Sequence, residues 1–206
     1  MATIFIHGLG QTPRSWEGVL SHLSPGQETV FPDLAQLLLG KTADYQHLYE
    51  AFCGACDGLA PPLDLCGLSL GGVLALHYAV RHPQKVRSLV LIGAQYRMPR
   101  GLLTLQNALF RLMPEKLFQD TGLDKQSFLT LCTSMMELDF TTQLKDVRCP
   151  VLVLCGEKDS ANRKAARELA EKLPSARLQM IPGAGHEVNT GAPAALAAHL
   201  RTFWQR

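Results

Sequence analysis

The chain has 206 residues, 47% apolar and 18% charged, which suits one domain with a sizeable core and excludes a disordered chain. Its 20 Lys and Arg against 18 Asp and Glu leave a net charge of +2 with the basic residues scattered, so no electrostatic footprint for nucleic acid or an anionic membrane is present. No run approaches the roughly 18 apolar residues that span a bilayer, and Met1 to Gly8 carries neither a basic leader nor a cleavage site, so a soluble, cytoplasmic protein is expected.

Strand-like and helix-like segments alternate along the chain. Ile4 to His7 is a short β-branched and aromatic run that ends in Gly8-Leu9-Gly10. Ser15 to Leu23 has helical spacing, with Trp16, Val19, Leu20 and Leu23 on one side. Thr29-Val30-Phe31 is a second strand, stopped by Pro32. Residues 43–58 read as a helix through Tyr45, Leu48, Tyr49 and Phe52. Leu63 to Cys66 is a third strand, followed by an apolar helix from Leu70 to Val80. Val86 to Ile92 is a fourth strand, and Val151 to Cys155 a fifth. Asn162 to Leu173 is a helix, Arg177 to Ile181 a sixth strand, and Ala192 to Trp204 a final helix. Strands apolar almost throughout, alternating with helices, predict a parallel sheet covered on both faces. Ligands bind such sheets beyond the carboxyl ends of the strands.

Residues 96–146 break the alternation. They predict helices over Leu102–Leu112, Pro114–Phe118 and Lys125–Leu138, rich in Leu, Met and Phe. Inserted after a strand's carboxyl end, this segment is expected to form a lid over the site and one wall of an apolar pocket; a hairpin packed on the sheet edge is the alternative. The core is then residues 1–95 and 147–206.

The chemistry is concentrated in the residues that follow the strands. Gly67-Leu68-Ser69-Leu70-Gly71 is a G-x-S-x-G between a strand and a helix. A turn that tight strains its central residue, has no room for side chains at Gly67 and Gly71, and lifts the Ser69 hydroxyl clear at a helix N-terminus. A serine needs a base, and the base needs an orienting carboxylate. His186 follows the sixth strand and Asp159 the fifth, in the chain order expected of this motif. Backbone N–H groups of Leu70 and Leu9 are the expected oxyanion hole. Gly8 lets the first loop approach, and His7 braces it; the alternative for His7 is the base itself. The remaining histidines, His22, His47, His77, His82 and His199, lie in or at the ends of helices and are expected to be exposed or capping. Cys53-Gly-Ala-Cys56 is a CxxC near the end of a helix with no second pair, read as incidental rather than redox-active or metal-binding. No zinc spacing or phosphate-cradling loop is present, so neither metal nor cofactor is expected.

These segments resemble the α/β-hydrolase superfamily over nearly the full chain: Ile4 to Gly10, Phe31 to Leu34, Cys66 to Gly72 with Tyr78 and His82-Pro83, Leu89 to Gly93, Pro150 to Asp159, and Ile181 to Val188. The resemblance implies a three-layer α/β/α sandwich with a six-stranded, mostly or wholly parallel sheet, lacking the family's leading hairpin and carrying a small helical cap. It also implies an acyl-enzyme route: Ser69 attacks a carbonyl, His186 shuttles the proton and water releases the acid. The chain departs from the usual pattern after Leu34, where Ala35 to Leu39 replaces a Gly-rich continuation, and in its short cap. An esterase or thioesterase acting on a small apolar acyl substrate is the leading expectation, as a monomer or homodimer. C–C bond hydrolysis or a lyase elimination on the same three residues is the second. A non-catalytic binding protein on this scaffold is the third.

Overall fold

The computed structural model describes residues 2–23 and 28–205, so Met1 and Arg206, at the ends of the expected core segments, lie outside it. Six strands form one sheet: β1 Ala2–Ile6, β2 Glu28–Val30, β3 Leu63–Leu68, β4 Val86–Ile92, β5 Val151–Gly156 and β6 Ala176–Ile181. Their order is β2-β1-β3-β4-β5-β6, and every pairing is parallel.

The apolar strands divide their side chains between two cores. Ile4, Ile6, Leu89, Leu91, Val151 and Val153 face helices α3 Tyr45–Asp57, α4 Leu70–Arg81 and α7 Arg163–Lys172. Phe5, Val90, Ile92, Leu152 and Leu154 face α1 Glu17–Leu20 and α9 Pro193–Trp204, where Trp16, Leu196 and Leu200 are fully buried. Coverage of both faces is why these strands lack polar alternation. The result is a three-layer sandwich.

The chain leaves β1 to build β2 on one side, then crosses to build β3 on the other. At such a reversal the loops after β1 and β3 diverge, and a crevice opens at the carboxyl ends of the strands.

Several helices differ from expectation. Ser15–Leu23 is not one helix. A 3-10 turn over Pro13–Trp16 runs into α1, only four residues long. The segment after β4 forms α5 Arg100–Leu112, a 3-10 stretch Glu115–Thr121 and α6 Lys125–Ser134, with Met135–Glu137 again 3-10. Asp124 caps α6 by accepting from Ser127 N–H, 2.8 Å away. Phe110, Phe118 and Phe128 pack edge to face beneath these helices, with ring centroids 5.1–6.2 Å apart. Leu109 and Leu112 of this apolar-rich segment point outward, and Leu112 is 82% exposed. Their positions on α5 lie opposite Leu103 and Phe110, which face inward.

Candidate active site

Ser69 sits between β3 and α4 with φ 53° and ψ −115°, and is the one non-glycine residue with positive φ among those described. The two flanking glycines have steric reasons. A Cβ on Gly67 would overlap the Gly71 carbonyl, and a Cβ on Gly71 would overlap the Ile6 carbonyl. The strained backbone is held by Ser69 N–H donating to Ile92 O at 2.8 Å and Ser69 O accepting from Val73 N–H at 3.0 Å. Leu70 opens α4, so its N–H is one of the first-turn donors that no helical carbonyl satisfies.

His186 and Asp159 meet across the loops after β6 and β5. Nδ1 of His186 donates to Asp159 Oδ2 at 2.7 Å, leaving Nε2 as the free ring nitrogen. Asp159 is buried and His186 half-buried. Burial alone would raise the Asp159 carboxyl, but hydrogen bonds from His186 and Asn162 outweigh it and hold the group below the ordinary carboxylate value. Ser69 and His186 line the same cavity, and no hydrogen bond joins the Ser69 hydroxyl to His186 among the described residues.

His7 is buried and lies on the other side of Ser69's strand. Its Nδ1 donates to Gly8 O at 2.8 Å, and its Nε2 accepts from Leu34 N–H at 3.2 Å. Both ring nitrogens are therefore occupied by backbone, and burial lowers its proton affinity. The contact explains Phe31-Pro32-Asp33-Leu34: Asp33 caps the short helix α2 Leu34–Leu37, and the first N–H of that helix holds His7. Gly8 turns out not to be crowded, since a Cβ there would make only ordinary contacts at 3.5 Å. Leu9 lines the cavity.

A further pair escaped the sequence reading. Gln11 and Asn189 exchange two amide hydrogen bonds, at 3.2 and 3.1 Å, and Gly8 N–H also donates to Gln11 Oε1 at 3.2 Å. Asn189 is fully buried on α8 Val188–Gly191, three residues past His186. This pair ties the loop after β1 to the loop that carries His186. The residues are 178 positions apart, and no local pattern marks them.

The cavity holds about 390 Å³, within the range of small-molecule sites. It is lined by Leu9, Ser69, Leu70, Gly93 and His186 of the core and, from the segment after β4, by Met98, Leu103, Phe110, Phe128 and Met135. A larger hollow of about 580 Å³ lies at the opposite, amino ends of the strands. Its buried carboxylate, Asp64, is already bound by Arg87 and Ser88.

Of the histidines expected to be exposed or capping, only His22 is exposed; His47, His77, His82 and His199 are half-buried, with His82 at the C-cap of α4. His77 is half-buried rather than exposed, stacked on Tyr49 with ring centroids 3.6 Å apart and packed against Tyr45 and Phe140. Burial there pushes its pKa down to about 4. Cys53 and Cys56 are free thiols on α3, and burial raises both, the opposite of an activated pair.

Known proteins agree with this architecture. A pimeloyl-[acyl-carrier protein] methyl ester esterase of Aromatoleum aromaticum is 30% identical over 229 aligned residues, covering 89% of this chain and 90% of that enzyme. The polyketide synthase ThaQ of Burkholderia thailandensis is 31% identical over 182 residues, but this chain spans only 8% of its length. The solved enol-lactonase of Burkholderia xenovorans superposes over 100% of this chain and 91% of its own, with a TM-score of 0.84 at 18% identity, a likeness of fold. No described helix is long and apolar enough to cross a membrane. The model of the alpha/beta hydrolase family matches residues 3–199, from the first strand through the inserted helices to the last helix, and the chain belongs to that family.

Proposed function

We propose that this protein is a serine hydrolase that cleaves a carboxylic ester or thioester through an acyl-enzyme on Ser69. The observation that carries the reading is the 2.7 Å bond from His186 Nδ1 to Asp159, with the free Nε2 edge and the strained Ser69 on one cavity. Asp159 fixes the imidazole tautomer, so Nε2 accepts the Ser69 proton as Oγ bonds to the substrate carbonyl carbon. The resulting oxyanion is met by the N–H groups of Leu9 and Leu70. Collapse expels the alcohol or thiol, which takes the proton back from His186. Water, deprotonated by the same nitrogen, then attacks the acyl-enzyme and releases the acid.

The inserted helices act as the cap that selects the acyl group. Their Met, Leu and Phe side chains favour an apolar chain, and among the described residues no Lys or Arg lines the cavity to hold a second carboxylate. The esterase relative from Aromatoleum aromaticum supports ester cleavage over C–C chemistry.

A fluorophosphonate probe and a chain-length series of p-nitrophenyl esters test the proposal. Covalent labelling at Ser69 is expected in the folded protein, and Ser69→Ala should lower kcat by about 10³-fold or more. Absence of labelling sinks the enzyme reading. Labelling with every ester at the Ser69→Ala background redirects it to C–C bond cleavage.

A further inference from the structure

Asn162 is placed as an ordinary helix N-cap but does not act as one. It is the residue before α7, and asparagine is among the best capping side chains, yet it makes no side-chain cap to that helix. Its amide is turned to the site instead. Nδ2 lies 2.9 and 3.0 Å from Oδ1 and Oδ2 of Asp159. Its Oδ1 accepts from Gln95 Nε2 at 2.7 Å, and Gln95 stands two residues past Gly93 at the end of β4. The chain of donors has one direction: Gln95 to Asn162, Asn162 to the carboxylate. A carboxylate accepts only, which fixes the Asn162 amide with its nitrogen inward. Nδ2 is also 3.1 Å from His186 Nδ1. Both nitrogens donate to the same carboxylate, so that distance follows from shared Oδ2 and is no bond between them.

We propose that Asn162, oriented by Gln95, is a positioning residue that locks the Asp159 carboxylate against His186 and limits how much of its charge the imidazole feels. This rests on the reading of Ser69, His186 and Asp159 as the catalytic set. Asp159 is buried, and Asn162 provides the side-chain donor that covers Oδ1. Without it the carboxylate is free to rotate, and its charge falls undivided on the His186 Nδ1 proton. The imidazolium is then easier to form, so the base stays protonated to higher pH.

The test uses the full chain as wild type, Asn162→Ala, Asn162→Asp and Gln95→Leu. Wild-type labelling by fluorophosphonate and wild-type ester turnover come first; if both are absent, the catalytic reading fails independently of Asn162. Given an active wild type, Asn162→Ala should lower kcat roughly tenfold with KM within about twofold, as losses of orienting partners do. The acid limb of kcat/KM should move up by about half a pH unit in Asn162→Ala, and further in Asn162→Asp, whose second carboxylate adds negative charge beside the ring. Gln95→Leu should move it in the same direction by less, and it serves alone if Asn162→Ala does not fold. A slower enzyme whose acid limb stays at the wild-type position in these variants overturns the proposal, because a structural role predicts that result.

Discussion

Gly93 works by what it lacks. It directly follows β4 with φ +55°, and a Cβ there would stand 3.0 Å from Cε1 and Nδ1 of His186 and 3.2 Å from Asp159 Oδ2. The His186–Asp159 pair is seated on this bare backbone. Gly93→Ala should therefore push the imidazole off its position and lower kcat by roughly 10²-fold, the order expected for a misplacement near 1 Å. The left-handed backbone adds a stability loss of about 1–3 kcal/mol. Steady-state kinetics with a urea melt separates the two effects, and wild-type kcat in a folded Gly93→Ala protein would refute this account. That Ser69, Asp159 and His186 share one cavity was legible because each lies in the connection after a strand and the three are chemically matched. Gly93, Asn162 and Gln95 were not, because Ile92-Gly93-Ala94-Gln95 reads as a strand end and Asn162 as a cap. Their significance lies in contacts between loops.

At the scale of elements, the four central strands were legible because two-sided burial makes each a short apolar run, whereas the edge strands β2 and β6 keep exposed residues and were legible from their place in the strand–helix alternation. The helix expected over Ser15–Leu23 failed for a local reason: Pro13 starts a tight 3-10 turn, and Gly18 lies inside the only α-helical turn. Which leucines of α5 turn outward was not legible, because composition does not record which way a helix is rotated. The link between the loops after β1 and β6 was invisible for a third reason, since Gln11 and Asn189 pair only through the finished sheet. Replacing Gln11 by Ala strands the buried Asn189 amide and should cost about 1–3 kcal/mol. Asn189→Ala should cost a similar amount, and the double variant less than the sum by about 0.5–3 kcal/mol. Denaturant unfolding of the four proteins gives the coupling directly; additive losses would mean that the amides do not act as a pair.

Across the whole molecule, His77 makes stability depend on pH. It projects from α4 between α3 and Phe140 of the inserted segment, where burial, Arg81 and His82 together hold its pKa at about 4, below the ordinary 6.5. As pH falls below about 6.5 the unfolded chain binds a proton that the folded chain resists until about 4. His77 thus subtracts nothing above that window and progressively destabilises the fold through it. Allowing for its partial contact with solvent, the loss is on the order of 1–2 kcal/mol. His77→Phe keeps the stacking and removes the titration, so urea melts at pH 7 and pH 4.5 should differ less than in wild type by that amount. An unchanged difference would assign the acid sensitivity to other groups.

The reversal of strand order at β1 has a consequence in time. Ser69 leaves the third strand and His186 the sixth, and the parallel strands between them can pair only through long crossovers. Contacts of such sequence separation form late, since each closes a long loop before it is rewarded. Helical signal can return in a refolding chain while Ser69 and His186 are still far apart. On the chemistry proposed above, hydrolysis is then a clock for completion of the sheet, and a newly made chain is expected to stay chemically silent until β6 has docked.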